Sequence, residues 1–231
     1  MTARGTGRGR RLGLTREKVI AAAVAMIDRD GPDAFSLRKL ATELDIENMS
    51  LYSHVPNKGA LLDGVAEALL AGIAFPEQED GTWQERIRAH AAAFRAAAKQ
   101  HPKAFPLVLT RPTQSPAALE AIRSTLSCFD ELRLDPEEMV HALRGYTAFV
   151  VGSIMRDLGY AIYLGAMDSD QVQQRTEAIA ASGDPLLTAT APHLADSDDD
   201  AEFQYGLELL ISGLAAKVGV PYDDGRGRQL P

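Results

Sequence analysis

Between Ser36 and Lys58 the chain carries Arg38, Asn48, Met49, Ser50, Tyr52 and His54. These residue types suit recognition rather than bond making. A guanidinium pairs bidentately with guanine O6 and N7, amides and hydroxyls meet base edges, and phenol, imidazole and ammonium groups hold phosphate oxygens. Spacing predicts which of them are free. If Leu37, Leu40, Ala41 and Leu44 face inward from one helix, and Ile46, Leu51 and Val55 turn toward the same core, then Asn48, Met49, Ser50, Tyr52 and Ser53 fall outward or along the rim. Ala41 supplies the small contact that two steeply crossing helices need. Asp45 must accept left-handed backbone in the turn, where glycine is the usual solution. A protruding helix of about two turns suits a major groove ~12 Å wide. Arg38 is then placed for a base, and Tyr52, His54 and Lys58 for the backbone, Lys58 at a helix N-terminus whose amides also favour anions. The same pattern equally fits a helix pair that never meets nucleic acid, with Tyr52 half-buried, His54 structural, and Arg38 and Lys39 on a solvated face.

Helices must position these groups, because alternating apolar runs with hairpin turns are absent while helical periodicity runs throughout. Thr15 caps a helix whose apolar stripe is Val19, Ile20, Ala23, Val24 and Ile27, and Gly31 and Pro32 stop it. Ser36 caps a second helix to about Leu44, a short third follows from Glu47 to about Ser53, and Asn57 caps a fourth that ends near the break "FPEQEDGT" at 75–82. Beyond the break Thr82 caps "WQERIRAHAAAFRAAAKQH", a short proline-limited element spans about 104–110, and "AALEAIRSTLSCFDELR" follows. Asp135 and Pro136 open a long helix as N-cap and first position. A polar helix is expected from about 167 to 182, a mobile acidic loop at 192–202, and a last helix in "FQYGLELLISGLAAKV". In that helix Gly206 and Gly213 mark where a neighbouring helix comes close. The expectation is an all-α chain with domains at 14–74 and 82–220.

Composition narrows the function. The single cysteine, Cys128, allows neither an intrachain disulfide nor a thiolate metal cage, and points to a reducing cytoplasm. The longest uncharged apolar run, 145–155, is well short of the ~20 residues that cross a bilayer, and the Arg/Gly-rich start lacks the apolar segment of a secretory signal. Net charge is -8, yet residues 1–60 hold a balance of +3 and residues 61–231 one of -11. A basic head on an acidic body orients approach to phosphates.

The region 14–73, through "TREKVIAAAVAMIDRDG", "FSLRKLATELDI" and "LYSHVPNKGALLD", resembles the DNA-binding domain of the TetR family of bacterial regulators. "TWQERIRAHAAAF", "LTRPT" and "YGLELLISGL" extend the likeness into the second domain, where they resemble the tetracycline-binding members. The resemblance implies a helix-turn-helix head, a helical ligand-binding and dimerisation domain, and a two-fold dimer with a four-helix interface formed here by 135–158 and 202–218. It implies that Arg38, Asn48, Met49, Ser50 and Tyr52 lie near bases and Ser36, His54 and Lys58 near phosphates of a palindromic operator. Met49 and Ser53 depart from the family's usual Pro and Trp. In the second domain His90 and Phe94 match drug contacts, and Thr110, Arg111 and Pro112 match the segment that rearranges with inducer. Leu107 and Arg156 stand where tetracycline-binding members carry a metal-ligating His and its supporting Glu. No cofactor or metal is expected, and the small-molecule inducer is expected not to be a magnesium–tetracycline complex. Met139, Phe149 and Met155 either line an effector cavity or pack an ordinary core.

The reading is therefore a cytoplasmic, homodimeric transcriptional repressor, binding duplex DNA and a small effector and no membrane. Alternatives are a helical protein-interaction module, or a ligand sensor without an operator. An enzyme is not expected, because no spacing pairs His90, His101 or His141 with Cys128. The N-terminal arm, with Arg4, Arg8, Arg10 and Arg11, either adds minor-groove or phosphate contacts or is a tail without a defined site.

Overall fold

A computed structural model describes residues 13–75, 81–111, 115–159, 169–196 and 198–225. The arginine arm and Pro112 lie outside the described residues. Among those described, the chain forms eleven α-helices and one 3-10 turn, with no β-strand. No helix among them is long and apolar enough to cross a membrane. Contacts divide the chain into two units, one of residues up to Ile73 with Gln100–Ile122, the other of Ala74–Lys99 with Arg123 onward.

The first unit contains α1 (Arg16–Asp30), α2 (Leu37–Glu43), α3 (Asn48–Tyr52), α4 (Lys58–Ala71) and, after Gln100, the short α6 (Pro106–Thr110). Local chemistry sets the helix starts. Thr15 Oγ1 accepts the Lys18 amide at 3.3 Å, Ser36 Oγ the Lys39 amide at 3.3 Å, and Asn57 Oδ1 the Ala60 amide at 2.8 Å. Gly31 ends α1 at φ 85. Asp45 takes φ 53 in the turn between α2 and α3, the left-handed conformation that the crossing demands. Val19, Ala23 and Ile27 of α1, Leu40 and Ala41 of α2, and Leu51 just inside α3 close one core with α4. Completely burying a side chain such as Leu51 contributes about 2 kcal/mol by area, which holds a helix far too short to persist alone.

The second unit contains α5 (Trp83–Gln100) except its last residue, α8 (Pro136–Asp157), α9 (Ser169–Ala180), α10 (Pro185–Ala195) and α11 (Asp199–Val218), while α7 (Pro116–Ser127) is divided between the two units. Thr82 and Glu85 start α5 reciprocally: the Thr82 amide donates to Glu85 Oε2 at 2.7 Å and the Glu85 amide to Thr82 Oγ1 at 3.3 Å. Asp135 caps α8, with Pro136 in its first turn. Gly206 of α11 faces the Phe149 ring of α8 so closely that a Cβ there would collide with it. Gly213 has open space around it and makes no such approach.

The mobile acidic loop expected at 192–202 is not found. Helix α10 runs through Ala195, and Asp198 caps α11 by accepting the Asp200 and Ala201 amides, each at 3.0 Å. The acidity belongs to a helix N-terminus, where carboxylates offset the positive end of the dipole.

Candidate nucleic-acid interface and ligand site

Helix α3 is anchored on one side and open on the other. Leu51 is fully buried, whereas Met49 is 74% and Tyr52 43% exposed, and Asn48 is exposed beside them. Ser50 is half-buried, and its carbonyl accepts the Ser53 hydroxyl at 2.7 Å. On α2, Arg38 is exposed, and among the described residues its guanidinium has no hydrogen bond or ion pair. Its neighbour Lys39 is tied to the Ala34 carbonyl at 2.8 Å. Arg29 offsets part of the negative charge nearby, bridging Asp30 at 2.9 Å and Glu43 at 2.7 Å. Hydrogen bonds from Arg29 hold both carboxylates below their usual range.

The residues assigned to phosphates are more occupied. Ser36 Oγ serves as the α2 cap, His54 is half-buried, and Lys58 Nζ donates to the Phe35 carbonyl at 3.0 Å while lying 5.6 Å from the Phe35 ring centroid. Lys58 therefore fastens the loop before α2 to the start of α4, a structural duty invisible in its spacing.

In the second unit His90 on α5 is 3% exposed. Its Nδ1 lies 2.9 Å from the Tyr146 hydroxyl and its Nε2 3.3 Å from Thr125 Oγ1, so either neutral tautomer satisfies both nitrogens. Burial pushes its pKa down to about 4 and raises that of Tyr146, leaving an uncharged pair. The Phe75 ring stacks on the imidazole at 4.2 Å and 9°, and Tyr146 meets it edge-on at 5.8 Å. Phe94, one turn beyond His90, is half-buried, as are Met139, Phe149 and Met155. Phe149 stacks on Phe203 at 5.7 Å, which makes it part of the packing of α8 on α11.

Thr110 and Arg111 belong to the first unit. The Thr110 hydroxyl donates to the Pro106 carbonyl at 2.8 Å, and Arg111 reaches α4 through the Gly59 carbonyl at 3.2 Å and the Asp63 carboxylate. Sequence reasoning missed Phe75, Thr125 and Tyr146. The signal for Tyr146 was a hydroxyl inside an otherwise apolar helix face, and it named no partner.

At the two positions that the resemblance assigns to metal binding the side chains offer no ligand: Leu107 is a hydrocarbon packed on the first unit's core, and Arg156 is a cation whose Nε lies 3.4 Å from Asp199 Oδ1. Cys128 is buried with its thiol pushed up to about 11, the state of an inert packing residue.

A second polar cluster joins α5, α8 and α11. Arg95 donates to Asp157 at 2.5 Å, Asp200 at 2.6 Å and the Asp199 carbonyl at 2.9 Å, and lies over the Phe203 ring at 4.5 Å. The side chain of Asp157 is only 4% exposed. This cluster fixes the geometry of the helices, with Asp157 Oδ1 left buried and without a hydrogen bond among the described residues.

Comparison with known proteins gives the family and the fold. Residues 75–218 match the family profile described as tetracyclin repressor-like, C-terminal domain. An HTH-type transcriptional regulator of Saccharopolyspora erythraea is 30% identical, covering 90% of this chain and 87% of its own. The HTH-type transcriptional repressor DrrR1 of Streptomyces coeruleorubidus is 28% identical, covering 100% of this chain and 86% of its own. Among solved structures, the TetR family protein ActR of Streptomyces coelicolor, in complex with actinorhodin, superposes with a TM-score of 0.78 at 27% identity, covering 90% of this chain and 99% of that one.

Proposed function

This chain belongs to the TetR family of transcriptional regulators, and from that premise we propose that it is a homodimeric repressor released from an inverted-repeat operator by a small organic effector. The observation that carries the reading is the asymmetry of α3: Leu51 buries one side while Asn48, Met49 and Tyr52 stand in solvent, and Arg38 on α2 is exposed with no partner among the described residues. In this reading residues 14–74 form the DNA-binding domain and 82–220 the effector-binding and dimerisation domain. Arg38, Asn48, Met49, Ser50 and Tyr52 face base edges, and Ser36, His54 and Lys58 lie along the phosphates. Ser36 and the Lys58 end of α4 contribute through helix N-terminal amides as well as side chains.

Dimerisation uses α8 and α11. Val140 on α8 and Tyr205 and Leu209 on α11 are 36%, 68% and 57% exposed in the single chain, and a four-helix interface would cover them. The pair must hold its reading helices about 34 to 36 Å apart to enter successive major grooves. An effector acts by favouring a conformation with the wrong separation, and its difference in affinity for the two states sets the largest shift it can cause.

The effector site is built around His90 and Phe94, with Met139 and Met155 as adaptable walls, Phe149 as a packed wall, and the segment of Thr110, Arg111 and Pro112 responding to occupancy. ActR is described in complex with actinorhodin, which supports an organic molecule as the effector here. Leu107 and Arg156 argue against magnesium-bound tetracycline. The protein acts in the cytoplasm, at the DNA it regulates, and carries out no catalysis.

Selection of fragments from the source genome by the purified protein tests the reading. Recovery of one or a few inverted repeats, bound by a species that sediments as a dimer, is expected. A monomer that retains no fragment at low ionic strength would overturn it.

A further inference from the structure

We infer that the face of the His90 imidazole covered by Phe75 is a slot for a flat aromatic ring, and that Phe75 is its resident occupant, which a planar effector must displace. This rests on the regulator reading above and names the ligand class and the regulation of its effector site.

Three observations carry it. First, both His90 nitrogens are engaged, by Tyr146 at 2.9 Å and Thr125 at 3.3 Å, so the ring has no edge left with which to hydrogen-bond a ligand. What it offers is a face. Second, that face is covered by a ring lying nearly parallel, 9° at 4.2 Å, which is the pose a planar ligand would adopt. Tyr146 meets the imidazole edge-on, and Phe129 in turn meets Tyr146 at 80° and 6.4 Å, so the ring that bonds the imidazole is itself held by packing. Third, the covering ring belongs to no helix. Phe75 is half-buried and lies three residues beyond Gly72, the cap that ends α4, whereas His90, Tyr146 and Thr125 are set in helices. One partner of the stack is fixed and the other is carried by connecting chain.

The chemistry of the occupant follows. An imidazole buried and neutral among a phenol, a threonine hydroxyl and phenyl rings disfavours an ionic group that brings no counter-charge, and favours an uncharged, flat ring system. Self-occupancy weakens the apparent affinity by the fraction of molecules in which Phe75 has left the slot. It also supplies the coupling, because the ring that is expelled is attached to the end of the helix leading to the DNA-reading head. A ligand that takes the slot moves that attachment.

The test uses 2-naphthol as the planar probe and decahydro-2-naphthol as a saturated probe of the same skeleton, titrated by calorimetry into the full chain and its variants. Phe75→Ala should bind 2-naphthol about tenfold more tightly than the wild type, the factor that corresponds to losing one aromatic stack, and should prefer it over the saturated alcohol. Phe75→Leu keeps apolar bulk but no ring and should bind about threefold more tightly, so the proposal stays exposed to refutation if the alanine variant does not fold. Equal or absent binding by wild type and the folded variants, or no preference for the planar probe, would overturn it and identify Phe75 as plain packing. The same preparations are assayed for retention of genomic DNA without any probe. Loss of that activity in the wild type would sink the regulator reading on its own, whatever the naphthol titrations give.

Discussion

The two polar regions of this chain are built in opposite ways. Around α3 the side chains with recognition chemistry are exposed and largely unbonded: Arg38 and Asn48 have no partner among the described residues, and Met49 is 74% exposed. Around α5 they are buried and bonded to one another, His90 to Tyr146 and Thr125, and Arg95 to Asp157 and Asp200. A surface meant to meet a large, highly charged partner keeps its donors free, since water satisfies them until phosphates and bases do. A site inside a helical unit keeps few donors free, because an unpaired buried polar group costs about 1 to 3 kcal/mol, and Arg86 Nε and Arg88 Nη1 on α5 are exceptions. Its groups must satisfy each other, and a ligand enters by exchange.

That contrast makes alanine replacement in the buried region costly to stability and in the exposed region costly only to binding. The largest effect is expected for Arg95→Ala, which strands the Asp157 carboxylate, 4% exposed, without its cation. Urea unfolding should show a loss of about 3 kcal/mol. A loss under about 1 kcal/mol would mean that the cluster is solvated and the contrast too sharply drawn.

The next effect depends on pH. His90 titrates near 4 in the folded chain against its ordinary 6.5, so between those values the unfolded chain binds more protons. Its full contribution to stability is present above pH 6.5 and drains away as pH falls toward 4. By pH 4.5 the wild type should lose about 2 to 3 kcal/mol more than His90→Gln relative to pH 7, measured by paired urea titrations. Parallel pH profiles for the two proteins would show that the imidazole is not buried neutral.

The same contrast decides what was legible in the sequence. The head is local: caps at Thr15, Ser36 and Asn57, the turn at Asp45, and the inward Leu51 all lie within a few residues of the groups they position, so periodicity and capping chemistry reveal them. Lys58 is the exception, because its bond to the Phe35 carbonyl spans 23 residues and no spacing rule anticipates it. The His90 cluster is non-local. Its partners sit 35 and 56 residues away on other helices, and Phe75 lies on connecting chain where no period exists. The acidic stretch after 192 was misread for a related reason: charge alone suggests a solvated loop, whereas Asp198 and Asp200 are spent on a helix cap and on Arg95 and Lys99.

The smallest effect on the fold and the most direct test of function meet at Arg38. Arg38→Ala should leave the free energy of unfolding within about 0.5 kcal/mol of the wild type, as expected of an exposed side chain with no partner among the described residues. In a double-mutant cycle by fluorescence anisotropy, pairing this variant with each single base-pair change in the selected operator, the account predicts a coupling of about 1 to 3 kcal/mol at one base pair per half-site and little elsewhere. Uniform weakening with no coupling at any base pair would contradict it and reduce Arg38 to a phosphate contact or a bystander.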